Sequence, residues 1–371
     1  MNYRQEILSL KTDESRIMEY WQALTETCPH HYFQSMGWVK TWVKSLRNYS
    51  DNDIDVYGFF LFDDNSPVVG FLFGKNSIRK LKLLPSRLFI FYGVGVSEID
   101  KLTPEYNDVL IKPGVEFSLD KLLASEVLGS FDQYRMHGIS DECYQRIEPS
   151  FPNYELKGRS VKSYCVDLDV LRKESKPYIN VLSKNKRQQV RRSIKAYEES
   201  GEVSLEIADS VDVAHTMLIE LSKLHEATWS ERGKGGAFSN EYFTKFHNDL
   251  IQKRFGSGEI LLCKISTPEK IIGYLYGFVY KDEFLFYQNG FSYESDNKFK
   301  PGFVSHYYLI NYFMENNLKT YDFLEGDAGY KQSLSNHSRD MYELTLFKST
   351  VINKLYLMAY TKAKAWAEKR Q

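Results

Sequence analysis

Six cations, Lys184, Lys186, Arg187, Arg191, Arg192 and Lys195, stand within twelve residues, and no acid interrupts them. On a helix, Lys184, Arg187, Arg191 and Lys195 fall on one side, while Val181, Val190, Ile194 and Tyr197 can pack. Such a strip suits phosphate, whether on a nucleotide-sugar, a lipid-linked precursor, a cofactor or an RNA acceptor end. A solvated face balanced by Glu198 and Glu199 is the other reading of the same residues. A second candidate runs from Glu283 to Lys331: an aromatic strand over 284–291, a Lys300-Pro301-Gly302 turn, a helix over about 303–316 and a short strand over 320–324. A helix N-terminus beside a strand end offers unpaired backbone N–H groups to a phosphate or a thioester oxygen. His225 sits in a long helical pattern with Leu221, Leu224 and Thr228 on nearby faces, either as a base or as a satisfied packing residue.

These residues need a scaffold, and 371 residues suit two domains better than one core. Hydrophobic content of 43% and charged content of 26% are those of a globular protein. With a formal net charge of −1 there is no global field toward nucleic acid or membrane, so any such contact has to be local. The 27 Tyr and 24 Phe point to well-filled sheets, with carbohydrate or acyl contacts as the alternative use. Cys28, Cys143, Cys165 and Cys263 are far apart and lack CxxC spacing, which argues against a metal site or a disulfide framework and for a reducing cytoplasm. No apolar signal core opens the chain, and the longest apolar runs, 88–96 and 271–280, fall short of the roughly 20 residues a membrane-spanning helix needs.

In chain order the pattern predicts helices over 15–28 and 35–48 anchored by Trp21, Trp38 and Trp42. Strands follow over 54–62, 68–74 and 87–94, then a Lys112-Pro113-Gly114 turn, a helical stretch to about 128 and a strand over 134–139. That order recurs. Val68-Val69-Gly70-Phe71-Leu72-Phe73-Gly74 matches Ile271-Ile272-Gly273-Tyr274-Leu275-Tyr276-Gly277 class for class, and Phe91-Tyr92 with Gly95 matches Phe286-Tyr287 with Gly290. Lys112-Pro113-Gly114 matches Lys300-Pro301-Gly302, and Gly138 and Gly326 each stand 24 residues beyond the turn glycine. The chain is therefore read as two copies of one mixed α/β unit, 1–160 and 161–371, joined through the charged stretch 155–162. In the second copy the pattern predicts a strand over 163–168, the basic helix closed by Gly201, a helix over 211–230 leading into Arg232-Gly233-Lys234-Gly235-Gly236, a helix over 240–255, strands over 259–265 and 271–280, a strand over 342–348 and a terminal helix over 353–368.

The second half resembles the GNAT acyltransferase superfamily, in its tandem-domain branch of Fem-type aminoacyltransferases and acetyltransferase-like proteins of cellulose and exopolysaccharide biosynthesis. The residues that carry the resemblance are the basic helix 183–195, His225-x3-Trp229-x2-Arg232-Gly233, Gly290-Phe291, Pro301-Gly302, and Tyr321-Asp322-Phe323-Leu324-x-Gly326-x3-Tyr330-Lys331. It implies a tandem GNAT fold, α+β with a mixed sheet, that transfers an acyl group to an amine or hydroxyl of a sugar or cell-envelope precursor. The superfamily's Gly-rich pyrophosphate loop does not precede the 303–316 helix. Acyl carrier protein or aminoacyl-tRNA therefore stands beside acyl-CoA as donor.

The resemblance implies a gap between the strands near 283–290 and 320–324, where strand N–H groups meet the thioester oxygen. It places Tyr330 as the acid for the leaving thiolate and Lys331 as an oxyanion or phosphate partner. Asp322 or Glu325 is then a candidate base, with His225 a further one. The donor side takes Tyr287, Asn289, Lys300, Pro301 and Gly302; phosphate or substrate contacts fall to Lys184, Arg187, Arg191, Trp229 and Arg232. No metal is expected. The first copy has Tyr134-Arg135-Met136-His137-Gly138 where the second has Asp322-Phe323-Leu324-Glu325-Gly326, and Glu142-Cys143 where the second has Tyr330-Lys331, so the chemistry is assigned to the second copy. A non-catalytic component of a polysaccharide-synthesis complex is the reading from a different class.

Overall fold

The computed structural model describes residues 3–49, 54–80, 84–117, 128, 131–147, 154–326, 328–351 and 353–358. They form two compact units, 1–161 with 341–371, and 162–340. In the first unit β1 (Arg4–Ser9) leads into α1 (Leu10–Thr27), whose N-cap Ser9 accepts a hydrogen bond from the Lys11 N–H, and α2 (Met36–Arg47) follows behind the cap Ser35. Trp21, Trp38 and Trp42 are all buried, as the helical pattern requires. The strands are β2 (Asp55–Asp63), β3 (Ser66–Lys80), β4 (Leu84–Phe91), the short β5 (Leu110–Ile111) and β6 (Gln133–Ser140), followed by α3 (Asp141–Ile147) and β7 (Tyr154–Asp167). β1 to β4 pair antiparallel in order, and β6 then joins β4 in parallel. Most of the helical stretch expected up to about 128 lies outside the described residues.

The second unit opens with the last residues of β7, 162–167, followed by α4 (Leu168–Lys173) and α5 (Lys184–Glu198), the basic helix, capped by Ser183 and stopped short of Gly201 at φ +103°. β8 (Ser204–Ile207), α6 (Val211–Glu231) and α7 (Glu241–Arg254) come next, then β9 (Ile260–Ser266), β10 (Ile271–Tyr280) and β11 (Glu283–Phe291). α8 (Pro301–Glu315), β12 (Thr320–Asp322) and α9 (Ala328–Leu334) complete it. Here too the strands run antiparallel through β8, β9, β10 and β11, and β12 joins β11 in parallel. The core between the sheet and helices α5 and α8 is built from Val190, Tyr197, Ile265, Leu275, Phe284, Leu309 and Phe313.

β13 (His337–Lys348) is the last strand. Its residues from Met341 onward pair antiparallel with β6, while Cys165, Val166 and Asp167 of β7 pair antiparallel with β12. Each parallel pair is thus flanked by an antiparallel strand, and the same strand topology is present in both units. The charged stretch 155–162, expected as a crossing between copies, is strand, part of β7, and the division between the two units falls within it. Its side chains are mostly exposed, and Gly158 lets the Glu343 carbonyl and Leu344 of β13 approach where a Cβ would stand 2.5 Å from Leu344. The last strand, read from sequence with the second copy, falls in the first unit through its pairing with β6. Of the terminal helix expected over 353–368, residues 353–358 are helical and the remainder lies outside the described residues.

Candidate active site

β11 and β12 pair only through Glu283–Thr320, Phe284–Tyr321 and Leu285–Asp322. Beyond Leu285, β11 runs on for six residues with no strand on that edge among the described residues, and the chain after Asp322 turns away. The parallel strands therefore splay. On the other edge of β11, Tyr276 opposes Gln288 while Gly277 opposes Phe286, so Tyr287 is an extra, bulged residue. A bulge disrupts the ladder and turns a peptide out of it. The backbone at 287–288 thus supplies polar groups next to the open edge.

In the first unit the corresponding space is filled. β6 pairs with β4 only as far as Met136, and Asn107 then takes the parallel position beside Ile139. The Asn107 N–H donates to Gly138 O at 2.8 Å, its side-chain amide donates to Pro104 O and His137 O, and the Ser140 N–H donates to Asn107 O. The segment carrying Asn107 occupies the place where β4 leaves β6.

A buried brace fixes the end of β12. Asp322 is fully buried, and its Oδ1 accepts the Leu324 N–H at 2.7 Å and the Ser163 hydroxyl. Its Oδ2 lies 3.3 Å from Arg339, which also forks onto Glu283. Leu324 turns into the left-handed region at φ +57°, and Gly326 has φ +146°. A Cβ at Gly326 would stand 2.8 Å from Lys331 Nζ, so this turn needs glycine. Lys331 is 7% exposed, and its ammonium donates to the carbonyls of Phe323 (2.6 Å), Leu324 (3.1 Å) and Glu325 (2.6 Å). Both Asp322 and Lys331 thereby shape the strand end.

Tyr330, half-buried one residue before Lys331, stacks on His306 of α8 with ring centroids 6.0 Å apart. His306 has no exposed surface; its Nδ1 lies 2.7 Å from the Tyr321 hydroxyl, and Nε2 has no partner among the described residues. Burial, aided by the Lys331 charge, brings its pKa down to about 3, so the ring is neutral. Phe286, Phe291 and Phe323 complete an aromatic wall around it.

At the far end of β11, α8 begins with Pro301 at its first position and no side-chain cap, and a Cβ on Gly302 would stand 3.1 Å from the Phe291 ring. The Lys300 N–H donates to Ser193 Oγ of α5 at 2.8 Å, and Lys186 Nζ sits 4.0 Å from the Phe303 ring centroid. Burial and then the Lys300 charge push the Lys186 pKa down. An uncapped N-terminus beside two cations has the polarity to favour an anion. Lys186, one of the six cations of the basic run and not marked out among them by its spacing, is the member that reaches it. Arg187 donates to Asn180 Oδ1 at 3.3 Å, and Lys184 and Arg191 face solvent.

His225 stands on α6, which presses so closely on β11 that a Cβ at Gly290 would be 2.3 Å from Leu221 O. The Ala237 N–H donates to Nε2 at 3.3 Å, so Nδ1 carries the proton and donates to Asn289 O at 3.0 Å. With both nitrogens engaged and its pKa lowered by burial, His225 holds the 236–239 loop and the β11 backbone in place. Glu226 accepts the Gly236 and Ser239 N–H groups beside it. Arg232 lies over the Trp229 ring at 5.4 Å, one turn further along. The structure thus sets Tyr330, Lys331 and Asp322 at the β12 end of the splay, the backbone of Tyr287 and Asn289 on β11, and Lys300 to Gly302 at the start of α8, while the Tyr287 ring packs on Phe243 and His247 of α7. Ser163, Arg339 and Glu283, which brace the lip, lie too far apart in sequence to have left a local signal.

Residues 184–332 match the family model described as an acetyltransferase (GNAT) domain. Its limits enclose the basic helix, the splay and Tyr330 with Lys331. The fold of the chain is similar to that in the crystal structure of FemX, with TM-score 0.55 and 11% identity over 88% of this chain and 95% of that one. It is also similar to the structure of L-PGS from Bacillus licheniformis, with TM-score 0.52 and 13% identity over 92% and 95%. A comparison of the sequence with curated proteins finds no match. Among the described residues no helix is long and apolar enough to cross a membrane.

Proposed function

We propose that the second unit, 162–340, transfers an acyl group from a thioester, acyl-CoA or acyl carrier protein, directly to an amino group or a hydroxyl of a sugar or cell-envelope precursor, in a reducing cytoplasm. The observation that carries this reading is the splay of β11 from β12, open in the second unit and filled by Asn107 in the first. In this mechanism the phosphate of the donor lies on the N-terminus of α8, between Lys186 and Lys300, and the pantetheine arm enters the splay. The acyl carbonyl meets the backbone at the Tyr287 bulge, whose N–H groups take up charge as the oxygen becomes an oxyanion. The amine forms the new N–C bond and the C–S bond breaks. Tyr330 gives its phenolic proton to the leaving thiolate and regains one from water, to which the ammonium formed on the acceptor gives up its own proton.

His306 keeps the Tyr330 ring in place as a neutral stacking partner, and Lys331 with Asp322 keeps the lip rigid. Tyr330→Phe retains the stack and removes the proton. It should lower kcat by about 10²-fold or more with the melting temperature held. The assay is release of free thiol from acyl-CoA and acyl carrier protein, preceded by a thermal-shift screen of both donors. Full turnover by Tyr330→Phe would remove Tyr330 from the mechanism, and no stabilisation or turnover with any thioester would sink the reading.

A further inference from the structure

We infer that the outer face of α5 is a docking surface for the acidic helical face of a carrier protein that presents the acyl group on a phosphopantetheine arm. This rests on the thioester reading above and names how the donor is delivered. Three other helices of the unit set cations against nearby acids: Lys173 with Asp169 at 2.8 Å, Lys223 with Glu220 at 2.6 Å, and Arg254 with Glu259. α5 does not. Among the described residues none of its six cations meets a carboxylate, and Glu199 beyond its end turns to Lys298 at 3.5 Å. The ridge from Lys184 to Lys195 is about 16 Å long at about 1.5 Å per residue. That matches acids repeated one helical turn apart on a facing helix.

The position of the ridge links it to the donor. The inner edge of α5 is tied to the start of α8 by Lys186 over Phe303 and by Ser193 accepting the Lys300 N–H. A phosphopantetheine arm would set its single phosphate at that N-terminus while its protein covers the ridge. A free nucleotide cofactor concentrates its phosphates at one end and leaves most of the ridge bare. α5 exposes no aromatic ring for base stacking, since Tyr197 is buried, and none of the exposed large hydrophobics lies on it to enter a lipid surface. An acidic protein surface is the occupant these features favour.

The test measures binding of an acidic holo acyl carrier protein to the full chain by fluorescence anisotropy at about 50 and 200 mM salt. The same is done for a Lys184→Glu, Arg187→Glu, Arg191→Glu variant whose fold is checked by circular dichroism. The wild-type affinity should weaken with salt, and the variant should bind at least about tenfold more weakly. Equal binding by wild type and variant overturns the inference. So does tighter, α5-dependent binding of tRNA or of vesicles containing anionic phospholipid. Acyl transfer from CoA without measurable carrier binding defeats this inference and leaves the proposed function standing; carrier binding without transfer from any thioester does the reverse.

Discussion

Replacing Lys331 by Met separates a lysine that braces the fold from one that works on substrate. Met fills the buried stem and leaves the Phe323, Leu324 and Glu325 carbonyls without their donor. Hydrogen bonds to a charged group contribute about 1.5–3 kcal/mol each, so the two most buried of the three alone put the loss at about 3 kcal/mol. In a unit of this size that corresponds to a fall in melting temperature of roughly 6–12 °C. The strand end carrying Leu324 at positive φ would relax with it, so turnover should fall because the splay loses its shape. Removing the ammonium also removes the smaller of the two influences that hold His306 neutral, and the His306 pKa should move upward in histidine NMR titrations. Differential scanning calorimetry beside the thiol-release assay decides between the two roles. If Lys331→Met melts within about 1 °C of the wild type yet loses turnover, the ammonium acts on the reacting atoms and the bracing argument is wrong.

The close contact of α6 with β11 predicts that Gly290→Ala, whose Cβ would meet Leu221 O, costs about 1–3 kcal/mol by urea denaturation; a neutral result would mean that the helix can shift freely. Burial brings both His247 and His306 to about 3, against about 6.5 in the unfolded chain. Between those values the unfolded state binds protons that the folded state refuses, so their contribution is present above about pH 6.5 and is lost on acidification, by up to about 1.4 kcal/mol per pH unit for each ring. His306→Gln should flatten the stability profile between about pH 5 and 6.5 relative to the wild type, and an unchanged slope would contradict its buried, neutral state.

Much of the fold was legible because it repeats and because its strands are locally marked. The class-by-class match of 68–74 with 271–277 lands on β3 and β10, which hold the same place in their units, and the Trp positions of α1 and α2 declared their buried faces. The two lysine-proline-glycine turns marked the segment after β4 and the start of α8. Pairing across long sequence separations was hidden: nothing local tells β13 to join β6, or tells Ser163 and Arg339 to close on Asp322. Side-chain roles were hidden for the same reason. Asp322, Lys331 and His225 look like chemistry as isolated polar residues. Their partners turn out to be backbone groups, one serine and one arginine, and those partners are what make them parts of the frame.

The matched glycines show how one fold yields a closed site and an open one. Gly138 and Gly326 stand equally far beyond their turns, and both have positive φ, so each lets something approach where a side chain would block it. At Gly138 the neighbour is Pro104 O, 2.9 Å from where a Cβ would stand, and it belongs to the segment that seats Asn107 beside β6. At Gly326 it is Lys331 Nζ, at 2.8 Å, which draws the carbonyls after β12 around itself and carries the chain away from β11. The same backbone permission admits a plug in one unit and a brace in the other. Where the brace sits, the strand end keeps β7 on one side and needs no strand on its β11 side, and a gap between two parallel strands can persist without collapsing onto its own unpaired peptide groups.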